Sequence, residues 1–206
     1  GYGVVGKTRH RSIESNTSYQ VTAISESNKE AQEFIPAGIE VYNDYKSLIA
    51  NADIDVIFIS LPNQFAAEAA CLSLQNGLHV FCEKPPARTH AELLEVEKQS
   101  LKFPELKLMY GFNHRFHLSV EEAKLLIDSN SLGRLINMKG VYGKSQMISF
   151  NQTDWRTNRE ASGGGILLDQ GIHMLDLMRY LSGENFTEVF SIIDNAFWNF
   201  DVEDNA

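Results

Sequence analysis

Between residues 55 and 112, apolar runs of strand length alternate with stretches in which apolar side chains recur every three or four positions. Residues 55–61 (DVIFISL) form a continuous apolar run, the pattern of a parallel strand covered on both faces. Residues 64–75 place Ala67, Ala70, Cys71 and Leu74 on one side of a helix that Gly77 ends. Residues 78–82 (LHVFC) read as the next strand, Thr89 is placed to cap a helix through Gln99, and residues 107–112 (KLMYGF) read as a further strand. Upstream, residues 19–25 (YQVTAIS) are also strand-like. Strand and helix in alternation predict an α/β fold with a doubly wound parallel sheet, whose ligands bind beyond the carboxyl ends of the strands. Pro62-Asn63 and Glu83-Lys84-Pro85 stand at such ends.

Farther along, helical spacing over residues 119–128 is followed by a strand-like stretch at 135–142 and a long polar loop over 143–162, with Trp155 and Arg156 in its middle. Long loops without structure of their own are usually functional or disordered, and this one is expected to cover a substrate or to pack on a partner subunit. Residues 166–181 (ILLDQGIHMLDLMRYL) then form a helix that is apolar around most of its circumference. At about 100° per residue, Asp169, His173, Asp176 and Tyr180 share one narrow stripe. An otherwise apolar helix is buried, so that stripe has to face partners, water or a ligand. The triple glycine at 163–165 lets another group approach the helix start closely. Three readings compete for His173: a satisfied core histidine, a metal ligand with Asp169 and Asp176, and a general base oriented by a carboxylate. The flanking carboxylates favour the acid/base pair, and the lack of further histidine or cysteine at ligand spacing disfavours metal.

Composition narrows the function classes. The 206 residues are 43% hydrophobic, enough to bury one or two α/β cores, and the formal net charge of −9 with no basic run argues against nucleic acid or an anionic membrane as partner. Cys71 and Cys82 sit among apolar neighbours without zinc-type spacing, as buried reduced thiols do, which is the basis for expecting a cytoplasmic location. No apolar stretch reaches the roughly 18 residues that span a bilayer.

The chain opens with Gly1-Tyr2-Gly3-Val4-Val5-Gly6, a G-x-G-x-x-G turn of the kind that brings backbone amides to a pyrophosphate at a helix N-terminus. Such a turn needs an acidic residue about 20 positions on to hold a ribose, and Glu26 stands there. Lys7, Arg9 and Arg11 lie either near the phosphates or on the solvated face of the first helix. Glu26 repels a 2′-phosphate and is followed by Ser27 and Asn28, not arginine, so NAD is expected as the cofactor with NADP as the alternative; Lys29 is the residue that weakens this inference. Lys84, pinned between Glu83 and two prolines, is either a positioned site lysine or an ordinary loop residue.

Taken together, the opening GYGVVG, Pro62-Asn63 after a strand, EKP at 83–85, GFNHRF at 111–116, the pair Trp155-Arg156 and GGGILLDQGIHMLDL at 163–177 resemble the glucose-fructose oxidoreductase and inositol dehydrogenase family of NAD(P)-dependent oxidoreductases. The resemblance implies Lys84, Asp169 and His173 as catalytic residues. It implies cofactor contacts from Gly1, Gly3, Val4, Val5, Gly6, Glu26, Pro62, Asn63, Glu83, Lys84 and Asn113, and substrate contacts from Arg115, Trp155, Arg156, Asp169 and His173. Ala66 departs from the histidine that many relatives carry three residues after PN.

The resemblance also implies a dinucleotide-binding domain over residues 1–116, lacking its first strand, and a truncated α+β domain with an open mixed sheet over 117–206. The chain is therefore expected to be a fragment cut at both ends. The implied activity is hydride transfer between a nicotinamide cofactor and a secondary alcohol of a sugar, sugar nucleotide or cyclic polyol, in a homodimer or homotetramer built on the second-domain sheet. A non-catalytic, redox-sensing regulator of the same fold is the alternative, against which Lys84, Asp169 and His173 speak.

Overall fold

The computed structural model describes residues 1–143 and 154–206. The chain divides into two compact units, Gly1–Gly111 and Phe112–Ala206.

In the first unit helices and short strands alternate: α1 (Val4–Glu14), β1 (Ala23–Ser25), α2 (Lys29–Gln32), β2 (Glu40–Tyr42), α3 (Tyr45–Asn51), β3 (Val56–Ile59), α4 (Asn63–Gln75), β4 (His79–Cys82), α5 (His90–Lys102) and β5 (Leu108–Tyr110). Every ladder between these strands is parallel. β1 pairs with β2, and β3, β4 and β5 form a second sheet in that order, with Ile59 opposite Cys82 and Cys82 opposite Tyr110. The core of the unit gathers Ile57, Ile59, Leu74, Leu78, Val80 and Val96, all at most 9% exposed. Ala69 and Ala70 on α4 are fully buried, so small side chains let this helix lie close against its neighbours. Local chemistry fixes the helix starts. The Thr89 hydroxyl accepts from the Glu92 amide, as its position in the sequence predicts, and Asp44 and Asn28 cap α3 and α2 in the same way.

The residue 28–54 stretch, which carries no clear periodicity, nonetheless supplies α2, β2 and α3. Its strand β2 leaves Glu40 and Val41 exposed and Tyr42 half-buried, so no apolar alternation announces it. A cavity of about 330 Å³ lies between β1 and β3, lined by residues of both strands and by Tyr2, Arg9 and His10.

In the second unit a short 3₁₀ helix (Asn113–Phe116) leads into α6 (Leu118–Asp128). After residue 153 come a second 3₁₀ turn (Trp155–Thr157), α7 (Arg159–Ser162), a π-helical turn (Leu167–Gly171) and α8 (Ile172–Ser182). Two expectations are corrected here. Residues 135–142 form no strand among the described residues: Leu135, Ile136, Val141 and Tyr142, four of their five apolar side chains, are exposed, and no ladder pairs them. The β pairing described in this unit is an isolated antiparallel bridge between Asp194 and Asn205. The loop expected over 143–162 contains two short helices, while its residues 144–153 lie outside the described residues.

Candidate active site

The glycine turn enters α1 with Gly3 at the N-cap position and no side-chain cap, which leaves the first-turn amides of Val4, Val5 and Gly6 without intrahelical acceptors. Its three glycines differ in what surrounds them. A Cβ on Gly6 would lie 2.1 Å from the Gly1 carbonyl oxygen, and one on Gly1 would lie 2.8 Å from the Ser60 carbonyl oxygen. A Cβ on Gly3 would meet nothing within 4 Å beyond its own chain neighbours. Two glycines thus serve close packing of the turn, and the third leaves open the space a pyrophosphate occupies at a helix start.

Glu26 immediately follows β1, and its carboxylate accepts from the Tyr2 amide at 2.7 Å and from the Asn28 amide at 2.9 Å. The acid expected at the ribose is therefore tied directly to the glycine turn, with lone pairs remaining for hydroxyl donors. Lys29 donates to the Asn43 side chain at 2.8 Å. These groups fit a dinucleotide: open space at Gly3, helix amides beside it, and an acid at the strand end. The cavity between β1 and β3 is lined by Gly1, Tyr2 and Gly6 of the turn, but not by Gly3, Glu26, Asn63 or Lys84.

Pro62 occupies the N-cap position of α4 without a side-chain cap, and the helix's first residue, Asn63, is buried. Glu83 continues the β3–β4 ladder by donating its amide to the Ile59 carbonyl at 2.9 Å. Its carboxylate accepts from Arg9 Nε at 2.6 Å, and a Cβ on Gly111 would meet its Oε2 at 2.8 Å. Of the three basic residues on α1, Arg9 is thus held by Glu83 and lies over the Phe81 ring, Lys7 lies over Tyr2 and Phe34, and Arg11 is exposed. Lys84 is half-buried just beyond β4, followed by the buried Pro85 and Ala87.

In the second unit the predicted stripe does not run along one uniform helix. Leu167–Gly171 form a π turn, in which each residue advances by less than 100°, so the spacing assumed for the stripe does not hold through this turn. Asp169 accepts from the Gln170 side chain at 2.6 Å. His173 is 5% exposed and is the one buried residue of α8, whose Leu175 is 42% exposed, so the helix is less enclosed than its composition predicts. Asp176 accepts from both Arg115 Nε, at 2.8 Å, and an Arg115 terminal nitrogen; Arg115 also lies over the Tyr180 ring. The carboxylate raises the guanidinium further above its ordinary range, mainly through the hydrogen bonds. Two members of the stripe therefore hold Arg115. Asn113 is exposed at the start of the 3₁₀ helix. Arg156 lies over the Trp155 ring, 4.4 Å from its centroid, and Asp154 accepts from the Arg156 amide.

Two groups around the site helix are absent from the sequence reasoning. Glu203, 8% exposed, accepts from the Gly165 amide at 2.8 Å, and its carbonyl accepts from the Ile166 amide. A Cβ on Gly165 would lie 1.9 Å from that carbonyl oxygen, so the close approach foreseen at the triple glycine is made by Glu203. The other is His114, whose ring stacks on His173 with centroids 4.0 Å apart. Neither announces itself by spacing, since each reaches its partner across more than 35 residues. Among the described residues no group of three His, Cys, Asp or Glu side chains is placed to hold a metal ion.

Residues 1–111 match the oxidoreductase family with an NAD-binding Rossmann fold, and residues 120–206 match the GFO/IDH/MocA C-terminal domain. The chain belongs to this oxidoreductase family, and its first unit is the family's NAD-binding Rossmann domain. Levoglucosan dehydrogenase of Pseudarthrobacter phenanthrenivorans is 34% identical over 152 residues, covering 73% of this chain and 38% of that protein. The crystal structure of myo-inositol 2-dehydrogenase from Lactobacillus plantarum superposes with a TM-score of 0.80 at 30% identity, over 89% of this chain and 55% of that one. Levoglucosan dehydrogenase in complex with NADH and levoglucosan superposes with a TM-score of 0.75 at 28% identity, over 89% and 53%. The chain spans about two fifths of the length of the curated relatives it matches. Among the described residues no helix is long and apolar enough to cross a membrane.

Proposed function

We propose that the protein is an NAD-dependent dehydrogenase that oxidises a secondary alcohol of a sugar, sugar nucleotide or cyclic polyol. The observation that carries this reading is Lys84 at the carboxyl end of β4, in a sheet whose glycine turn and Glu26 suit a dinucleotide. Relatives named for levoglucosan and inositol support the substrate class.

When bound, the nicotinamide cofactor supplies the hydride-transfer chemistry. The chain's own residues would place the alcohol and move its proton. His173 would accept the hydroxyl proton, because a neutral imidazole is basic near neutrality. Lys84 would donate a hydrogen bond to the same oxygen and stabilise the negative charge that grows on it. Asp169 would bind a neighbouring substrate hydroxyl or orient His173. Trp155 and Arg156, one aromatic face and one guanidinium held together, suit a sugar ring with its hydroxyls.

Association into a homodimer or homotetramer through the second unit belongs to the same proposal, supported by the exposed Val189, Phe190 and Ile192. The free thiols Cys71 and Cys82 support a cytoplasmic location.

The test is NAD reduction by the protein across a panel of pyranoses, sugar nucleotides and inositols. Reduction with at least one of them is expected. Tight NAD binding with no reduction across the panel overturns the enzymatic reading in favour of a redox sensor.

A further inference from the structure

Three further rings, Phe112, His117 and Tyr142, lie around His114 and His173. The two imidazoles lie face to face, with centroids 4.0 Å apart and planes 22° apart. Tyr142 lies near-parallel beside both rings, 5.7 Å from His114 and 6.2 Å from His173, and Phe112 meets His173 edge-on at 6.3 Å. His117 meets His114 edge-on at 5.3 Å. His173 is buried, whereas His114 is half-exposed.

Two imidazolium charges in such contact repel, and the aromatic rings around them offer little screening. A proton on one ring therefore makes protonation of the other unfavourable. The ring with more access to water carries its charge at lower cost. We propose that His114 is a positioning residue for the base His173: the two rings titrate as a coupled pair in which His114 takes the first proton, keeping His173 neutral and able to accept a substrate proton. The stack would also hold the His173 ring plane. This rests on the reading of His173 as the base and deepens it.

The remaining charges nearby pull in both directions. On the π turn and α8 they are Asp169, Asp176 and Arg179; on the 3₁₀ helix, Arg115 and His117; on α6, Glu121, Glu122, Lys124 and Asp128. Asp176 is offset by Arg115, and Lys124 by Asp128. Asp169 favours the imidazolium, so a carboxylate alone would hold the proton on His173 to higher pH. His114 opposes that effect with a like charge.

The test is an NMR titration of the imidazole side chains in the wild-type protein, His114→Phe and His114→Gln, with the pH profile of kcat/KM measured alongside. His114→Phe keeps a ring in the stack without a titrating group, and His114→Gln removes the ring. In both, the His173 midpoint is expected to rise by about one pH unit, with the rising limb of the activity profile moving up by the same amount. A His173 midpoint that stays put or falls in both variants overturns the proposal. If the midpoint rises but no alcohol reduces NAD in any variant, the pair stands and the dehydrogenase reading falls. If activity is present and neither midpoint nor limb moves, the dehydrogenase reading stands and the pair falls.

Discussion

Arg9 and Glu83, 74 residues apart in the chain, meet with Nε 2.6 Å from Oε1. The contact joins the helix that follows the glycine turn to the residue that precedes Lys84. Both side chains are largely buried, with 27% and 18% of their surfaces exposed, so removing one leaves the other's charge poorly compensated. A double-mutant cycle with Arg9→Met and Glu83→Gln, read by urea denaturation, is expected to give a coupling of about 1–2 kcal/mol. Purely additive losses would mean that the pair is an incidental contact.

The glycines of the turn should separate packing from binding. Gly6→Ala places a methyl group against the Gly1 carbonyl and is expected to lower the melting temperature together with NAD affinity. Gly3→Ala meets open space, so stability should hold while calorimetry shows NAD binding weakened at least tenfold. Equal effects of the two substitutions on stability would contradict this division.

Glu26 should set cofactor choice. Calorimetric titration is expected to show NAD bound more tightly than NADP, and Glu26→Ser, which removes the charge facing a 2′-phosphate, should narrow or reverse that preference. Tighter NADP binding by the unmodified protein would overturn the assignment.

Lys84→Ala and His173→Ala are each expected to lower kcat by about 10²-fold or more while leaving NAD affinity nearly unchanged, because in the proposed reaction both would act on the substrate oxygen. Steady-state kinetics beside cofactor titration checks this. Normal turnover in His173→Ala would reduce the histidine to satisfied core polarity.

Burial pushes the Cys82 thiol up to about 12, with the adjacent Glu83 adding to the shift. A thiol whose folded value lies above its unfolded one favours the native state below about pH 8.5, and that advantage is lost progressively as pH rises toward the folded value. Urea midpoints should accordingly fall between pH 8 and 11. A disulfide-exchange reagent at pH 8 should label Cys82 only after denaturation, and rapid labelling of the native protein at Cys82 would show that the strand end opens.

The apolar runs at 55–61, 78–82 and 107–112 were legible as strands and contain β3, β4 and β5, although one face of this sheet leaves Phe58 37% and Met109 46% exposed. Thr89 is equally readable, since a cap is a contact over three residues. β2 escapes because its side chains stay largely exposed, and the 135–142 stretch misleads because β-branched residues do not pair without a neighbouring edge.

The sequence by itself determined the family's NAD-binding sheet, the glycine turn with its acid at Glu26, and the places of Lys84, Asp169 and His173 in the chain. These depend on short-range spacing and on the periodicity that burial imposes. Tertiary structure decided the rest. It turned Asp176 and Tyr180 toward Arg115, seated Glu203 on the triple glycine, replaced the first turn of the site helix by a π turn, and stacked His114 on His173. Each of these is a contact between residues far apart in the chain, or a helical phase set by packing, and such pairings follow from the shape of the folded chain, not from any local pattern.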